Sequence, residues 1–144
     1  MKLWIDDVRP APEGYVHCVS VNQAILKIQT IEYFNRRYRQ FTSEGIEEEH
    51  EIELIDIDHD AGDYASDGGD YIKLLDWLEE TGRNYPIRIH SMKPVGVENM
   101  RRIIKKNGWT EVSCSTCKFK NYAPYDEICA RCKNCNGWGK YEQE

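Results

Sequence analysis

Three short apolar runs in this chain each end in a polar cluster. Leu3-Trp4-Ile5 runs into Asp6-Asp7, Leu54 to Ile57 runs into Asp58-His59-Asp60, and Ile87 to Ile89 runs into His90-Ser91. Runs this short, without helical spacing, predict buried strands. They are expected over Lys2–Asp7, Ile52–Asp58 and Ile87–His90, the last opened by Pro86. Arg9 to Gly14 holds two prolines and predicts a stiff turn, after which Tyr15–Val19 reads as a further strand. Helical spacing takes over elsewhere. Ser20 caps a helix beginning near Val21, with Ile25, Ile28, Ile31 (or Glu32), Phe34 and Tyr38 on its apolar face. Tyr71, Leu74, Leu75 and Leu78 mark a second helix, ended by Gly82. Met100, Ile103 and Ile104 mark a third, led in by Pro94 and closed by Gly108. Loops are expected over Gln40–Glu49 and Gly62–Gly69, and an edge strand over Trp109–Ser113.

Strands alternating with helices imply right-handed crossovers and a central parallel sheet, hence an α/β fold. About five strands in the order 2-1-3-4-5 are expected. In that order the first, third and fourth strands are neighbours, so the three polar clusters meet at one edge. Open α/β sheets build their sites beyond the carboxyl ends of their strands.

That convergence would gather Asp6, Asp7, Asp58 and Asp60. Carboxylates so close cannot all stay ionised without a counter-charge, and a divalent cation, Mg²⁺ foremost, is the simplest one. Acidic turn residues pointing into water are the plainer alternative. His59 and His90 lie inside the same clusters and suit proton exchange near neutral pH, although a single histidine at a strand end is ordinarily a hydrogen-bonding filler. Ser91, Lys93 and Arg9 could bind phosphoryl oxygens, or be a local cap, a surface lysine and a turn arginine.

Charge divides the 144 residues unevenly. Residues 1–92 carry 9 Lys/Arg against 19 Asp/Glu, and residues 93–140 carry 10 against 4. The acidic part suits cations and the basic part suits phosphates or nucleic acid. The glutamates of Glu44 to Glu53 read as a solvated loop. No apolar stretch approaches the ~20 residues of a membrane helix. The first residues lack a basic start and long apolar core, so a cytoplasmic location is expected.

The clusters resemble response-regulator receiver domains, and more closely the receiver-like family proposed to process cyclic phosphates. The residues that carry the resemblance are Leu3-Trp4-Ile5-Asp6-Asp7-Val8-Arg9-Pro10, Asp58-His59-Asp60, Gly69-Asp70-Tyr71, and His90-Ser91-Met92-Lys93-Pro94-Val95-Gly96 followed by Asn99-Met100. The resemblance covers residues 1–112 and implies a receiver-like (flavodoxin-like) fold whose site joins histidines to aspartates. It implies action on a cyclic phosphate, with an RNA 2′,3′-cyclic end as one form. Lys93 stands where the family often has Asn, and Ala61 where it often has Leu. Trp109–Ser113 has no counterpart of the lysine that ordinary receivers carry after the last strand.

Of six cysteines, five fall within residues 114–135. Cys114-x₂-Cys117-x₁₁-Cys129-x₂-Cys132 matches a four-thiolate structural Zn²⁺ site, with Cys135 as a spare ligand. Residues 113–144 are therefore expected to form a small zinc module that metal ligation folds. Cys114-Ser115-Thr116-Cys117-Lys118-Phe119-Lys120-Asn121 resembles the start of Ran-binding-protein-type zinc fingers, some of which bind single-stranded RNA and others ubiquitin. A generic zinc ribbon fits as well. Lys118, Lys120, Arg131 and Lys133, with Phe119, Tyr122 and Trp138, offer phosphate contacts and stacking faces.

The leading expectation is a phosphoesterase in which His59 and His90 exchange protons. Asp6, Asp7 and Asp58 would hold the cation, and the zinc module would present RNA. The alternatives are a signalling module phosphorylated at Asp58 and an RNA-binding adaptor with an inactive pocket. Elemental analysis of the purified chain is expected to give about one zinc per chain, falling towards zero in Cys129→Ser.

Overall fold

In the computed structural model, residues 1–41, 51–91 and 93–113 are described. Cys114, Cys117, Cys129 and Cys132, with the rest of the expected zinc module, lie outside the described residues. So does most of the acidic segment after Phe41.

Four parallel strands form one sheet: β1 (Lys2–Ile5), β2 (Tyr15–Cys18), β3 (Leu54–Ile57) and β4 (Ile87–Ile89), in the order β2-β1-β3-β4. Among the described residues three α-helices accompany them: α1 (Val21–Phe41), α2 (Ile72–Glu80) and α3 (Pro94–Asn107). The expected order holds, but the sheet has four strands among the described residues, not five. The Trp109–Ser113 segment lies on the expected edge and runs parallel to β4. It makes a single bridge, between Ile87 and Glu111. Ile87 N donates to Thr110 O (3.0 Å) and Val112 N to Ile87 O (2.8 Å), and the ladder stops there.

Strand alternation divides the sheet into two unlike faces. Leu3, Ile5, Cys18, Ile55, Ile57 and Ile87 join the helices in the apolar core. The helices contribute Ala24 and Ile28 from α1, Leu74, Leu75 and Leu78 from α2, and Met100 and Ile104 from α3. Positions on the opposite face include Trp4, Asp56 and Arg88, which share one register row and are all buried. The apolar reading of the third strand therefore needs correction, because only one of its faces is hydrocarbon.

Nine residues, Asp6 to Gly14, connect β1 to β2 without a helix, fewer than the dozen or so such a crossover ordinarily takes. One side chain folds the start of this link: Asp6 Oδ1 accepts from Val8 N (2.8 Å) and Arg9 N (2.9 Å). Trp4 Nε1 donates to Arg9 O (3.1 Å), which fixes the outgoing chain.

Ser20 caps α1 as expected, accepting from Gln23 N at 3.1 Å. The buried stripe of that helix is Val21, Ala24, Ile28 and Ile31. Phe34, expected to extend it, is exposed and packs edge-on against Tyr33. The next inward position after Ile31 is four residues on, so Phe34 falls one residue out of phase. The Gly62–Gly69 loop contains a short 3₁₀ turn, Gly62–Ser66. It is tied to α1 where Ser20 Oγ and Asn22 Nδ2 donate to Asp67 (2.6 and 3.0 Å). Gly108 ends α3 in the left-handed conformation at φ 66°, a helix stop that glycine adopts without strain.

At the amino end of the sheet, Glu32 of α1 accepts from Arg83 Nε and Nη2 (both 2.9 Å) and from the Tyr85 hydroxyl. Burial alone would raise the Glu32 carboxyl, but the bonds from Arg83 and Tyr85 bring it below its ordinary value. A carboxyl lowered in the folded state stabilises the fold above its unfolded value, and that contribution is lost as pH falls through the folded value. Glu32→Gln is expected to cost about 1–2 kcal/mol at pH 7 in denaturant titrations. The difference from wild type should shrink steadily below about pH 4, where the unfolded chain's glutamate protonates.

Candidate functional site

The three polar clusters meet because their strands end in register. Ile5, Ile57 and Ile89 share one row. Asp58 N donates to Ile5 O (2.9 Å), and His90 N to Ile57 O (3.0 Å). Asp6, Asp58 and His90 therefore form the next row, and one ligand atom from each lies within 4.8 Å of the others.

His90 is held from both sides. Its Nε2 lies 2.9 Å from Asp6 Oδ2 and its Nδ1 2.7 Å from Asp56 Oδ1. The other Asp56 oxygen accepts from Arg88 Nη1 at 3.1 Å, and both residues are buried. Trp4 covers the imidazole in a parallel stack, with ring centroids 3.9 Å apart. Arg9 Nη1 donates to His90 O (3.1 Å), and its Nε lies 4.0 Å from Asp6 Oδ2. His90 is thus locked in place. Both nitrogen contacts are hydrogen bonds only when the ring carries two protons or a carboxyl carries one. With a metal on Nε2, Nδ1–H would instead donate to Asp56, the usual carboxylate–histidine–metal arrangement.

His59 leans on a different element. Its ring packs against Gly96 of α3 so closely that a Cβ built there would fall inside the ring's van der Waals envelope. Its Nδ1 is buried without a hydrogen-bond partner among the described residues. Gly96 thus lets helix and imidazole approach. Asp58 Oδ1 accepts from His59 N (2.7 Å).

The remaining candidates spread around the rim. Lys93 Nζ donates to Asp60 Oδ2 at 2.7 Å, an exposed pair. Asp60 Oδ1 accepts from Gly62 N. Ser91 Oγ accepts from Lys93 N at 3.2 Å. The Asp7 carboxylate rests over Gly62, and neither Asp7 nor Asp60 joins the Asp6–Asp58–His90 group. Burial, then the charges of Asp6, Asp58 and Asp60, push the Asp7 carboxyl up. Asp6 moves the opposite way. Burial would raise it, but donation from Arg9 N and Val8 N and the neighbouring His90 hold it below the carboxylate range. The rim holds more negative charge than its own cations balance, which suits a bound cation.

Reading the strand ends alone misses Asp56, Arg88 and Gly96. Asp56 and Arg88 had a signal in the sequence: each is the single charge inside an apolar strand, Leu54-Ile55-Asp56-Ile57 and Ile87-Arg88-Ile89. A buried charge needs a partner, and the register makes them neighbours. Gly96 stands in the His90–Gly96 motif quoted above, but nothing there pointed to His59 as its neighbour. His17, given no role above, has its Nε2 2.6 Å from Asp6 O.

A parallel sheet in this order, with acidic residues at the ends of adjacent central strands, defines a receiver-like α/β protein. The model of the cyclic-phosphate processing receiver domain matches residues 1–106, and the chain belongs to that family. No curated protein and no solved structure matches the sequence. Among the described residues no helix is long and apolar enough to cross a membrane.

The contact between His59 and Gly96 predicts a change of sign. Gly96→Ala should cost about 1–3 kcal/mol in the wild-type background, through overpacking. In His59→Ala the same change should be neutral, or stabilising by up to about 1 kcal/mol through helix propensity. Thermal unfolding of the four proteins of this cycle checks it.

Proposed function

We propose that the chain hydrolyses a cyclic phosphodiester, such as the 2′,3′-cyclic end of an RNA, at the carboxyl rim of its sheet. The observation that carries this reading is the joining of Asp6, Asp58 and His90 within 4.8 Å, in a chain of the cyclic-phosphate processing family.

The two histidines take different parts. His90 is buried and held by Asp56, so it serves as a fixed donor group beside Asp6 and Asp58. Two carboxylates and one imidazole suit a divalent metal such as Mn²⁺ or Zn²⁺ better than Mg²⁺, which prefers oxygen. A cation held there would neutralise charge on a non-bridging phosphate oxygen and lower the pKa of water. Lys93, Ser91 and Arg9 contact phosphate oxygens, with Asp60 keeping Lys93 at the rim until substrate arrives.

His59 is the proton carrier. Its Nδ1 has no partner among the described residues, and its backbone amide donates to Asp58, the more open carboxylate of the group. As water oxygen bonds to phosphorus, His59 accepts the water's proton. The P–O bond to one ring oxygen breaks, and that oxygen takes the proton back from His59, leaving a phosphomonoester and a free hydroxyl. General acid–base catalysis of this kind contributes about 10²–10⁴-fold.

Incubation of the purified chain with a nucleoside 2′,3′-cyclic phosphate, across a panel of divalent metals, tests the reading. Wild type is expected to yield a monoester. His59→Ala is expected to reduce kcat by about 10²-fold or more, and Asp58→Asn to shift the metal dependence. Absence of turnover with every metal would overturn the hydrolytic reading.

A further inference from the structure

We infer that the outer face of α3 is a binding track for single-stranded nucleic acid, holding the strand that leads to the phosphate at the rim. The inference deepens the reading above and rests on it for where the strand ends. It sets the substrate class as oligonucleotides over mononucleotides.

The observation is a groove of about 670 Å³ that begins at Ser91 and runs along α3. Ser91 follows His90 directly, so the groove opens next to the candidate site. Its helical residues fall at positions 94, 97, 98, 101, 102 and 105. That spacing is one continuous stripe on one side of a helix. From 94 to 105 it spans about 16 Å, on the order of four stacked nucleotides. The opposite side of the helix is committed to the core through Gly96, Met100 and Ile104.

The chemistry changes along the track. Near the site, Pro94 and Val97 are apolar, and Val95 beside them is exposed, which suits a ribose or base face. Farther along come Arg101, Arg102 and Lys105, against one carboxylate, Glu98. Arg102 pairs with Glu98 at 3.3 Å, but both are about 70% exposed, at 71% and 68%. A pair so exposed is worth little and yields readily to a phosphate. Lys105 makes no ion pair among those found for the described residues, while Arg101 is bonded to Glu111 at 2.6 Å.

Charge complementarity commits the occupant. The rim is acidic, with Asp6, Asp7, Asp58 and Asp60, and would repel a polyanion on its own. A mononucleotide brings one phosphate and gains nothing from Arg102 and Lys105. An oligonucleotide places its inner phosphates on those cations while its end phosphate reaches the rim. A duplex would need a broader surface than one helical stripe provides.

The test uses the full chain and two substrates: uridine 2′,3′-cyclic phosphate, and a single-stranded RNA of about six nucleotides with the same terminal group. At low salt, kcat/KM for the RNA is expected to exceed that for the mononucleotide by about tenfold or more. That advantage should fall with salt, with a log–log slope of about −1.4 for the two phosphate contacts at Arg102 and Lys105. The double variant Arg102→Glu/Lys105→Glu should abolish the advantage and leave mononucleotide turnover within about twofold. Arg101 is kept intact because it ties α3 to the last segment, and a melting curve checks that the double variant folds. Equal kcat/KM for the two substrates, or equal slowing of both by the variant, overturns the track. If neither substrate turns over, the hydrolytic reading fails separately. Fluorescence polarisation of the labelled RNA then decides the track: weakening by the double variant of threefold or more upholds it, and less than threefold ends it.

Discussion

A buried line of polar groups, Arg88–Asp56–His90–Asp6, joins three strands and holds this rim in shape. Asp56 and Arg88 are costly to bury alone and compensate each other, while Asp6 is held by the amides of Val8 and Arg9 as well as by His90. Removing one partner from such a buried arrangement typically costs about 3–5 kcal/mol, chiefly because an uncompensated charge stays behind. The register of β1, β3 and β4 is therefore specified twice. The apolar face supplies the driving force for collapse, and the opposite face makes any slip of one residue electrostatically intolerable. The Trp4 ring stacks on the His90 imidazole and covers one face of the line.

The helices carry the complementary constraint. α3 sits where Gly96 meets His59, so the helix that closes the core also sets how far that imidazole can turn. Its other face, with Arg102 and Lys105, points away from the core. One element thus touches the packed interior, the His59 ring and the basic groove. Among the described residues the pairing beyond Ile87 is limited to one bridge, in which Thr110 and Val112 both bond to Ile87.

Much of this was legible in the amino-acid sequence, for physical reasons that differ by element. Strand order and the meeting of Asp6, Asp58 and His90 followed from apolar runs, because buried parallel strands allow few connections. The helix ends followed from Ser20, Gly82 and Gly108, which act locally. Phase was harder. Phe34 is as apolar as its neighbours, yet one residue of rotation puts it in water. The fifth strand was overcalled because Trp109–Ser113 has strand composition, while pairing depends on what β4 still offers. The inner layer of the site was missed for a related reason. Asp56 and Arg88 declare themselves only once register makes them a pair. The Gly96–His59 contact spans a separation that no local pattern records.

Asp6 divides its two oxygens between unrelated duties. One shapes the backbone of the β1–β2 link by accepting from Val8 and Arg9. The other faces His90 and the rim. Backbone shape and rim geometry thereby share a single side chain, so a change at position 6 disturbs both at once. Asp58, whose bonded oxygen serves only its own neighbour's amide, carries no such double duty. A substitution at the end of the middle strand is thus confined more closely to the rim than one at the end of the first.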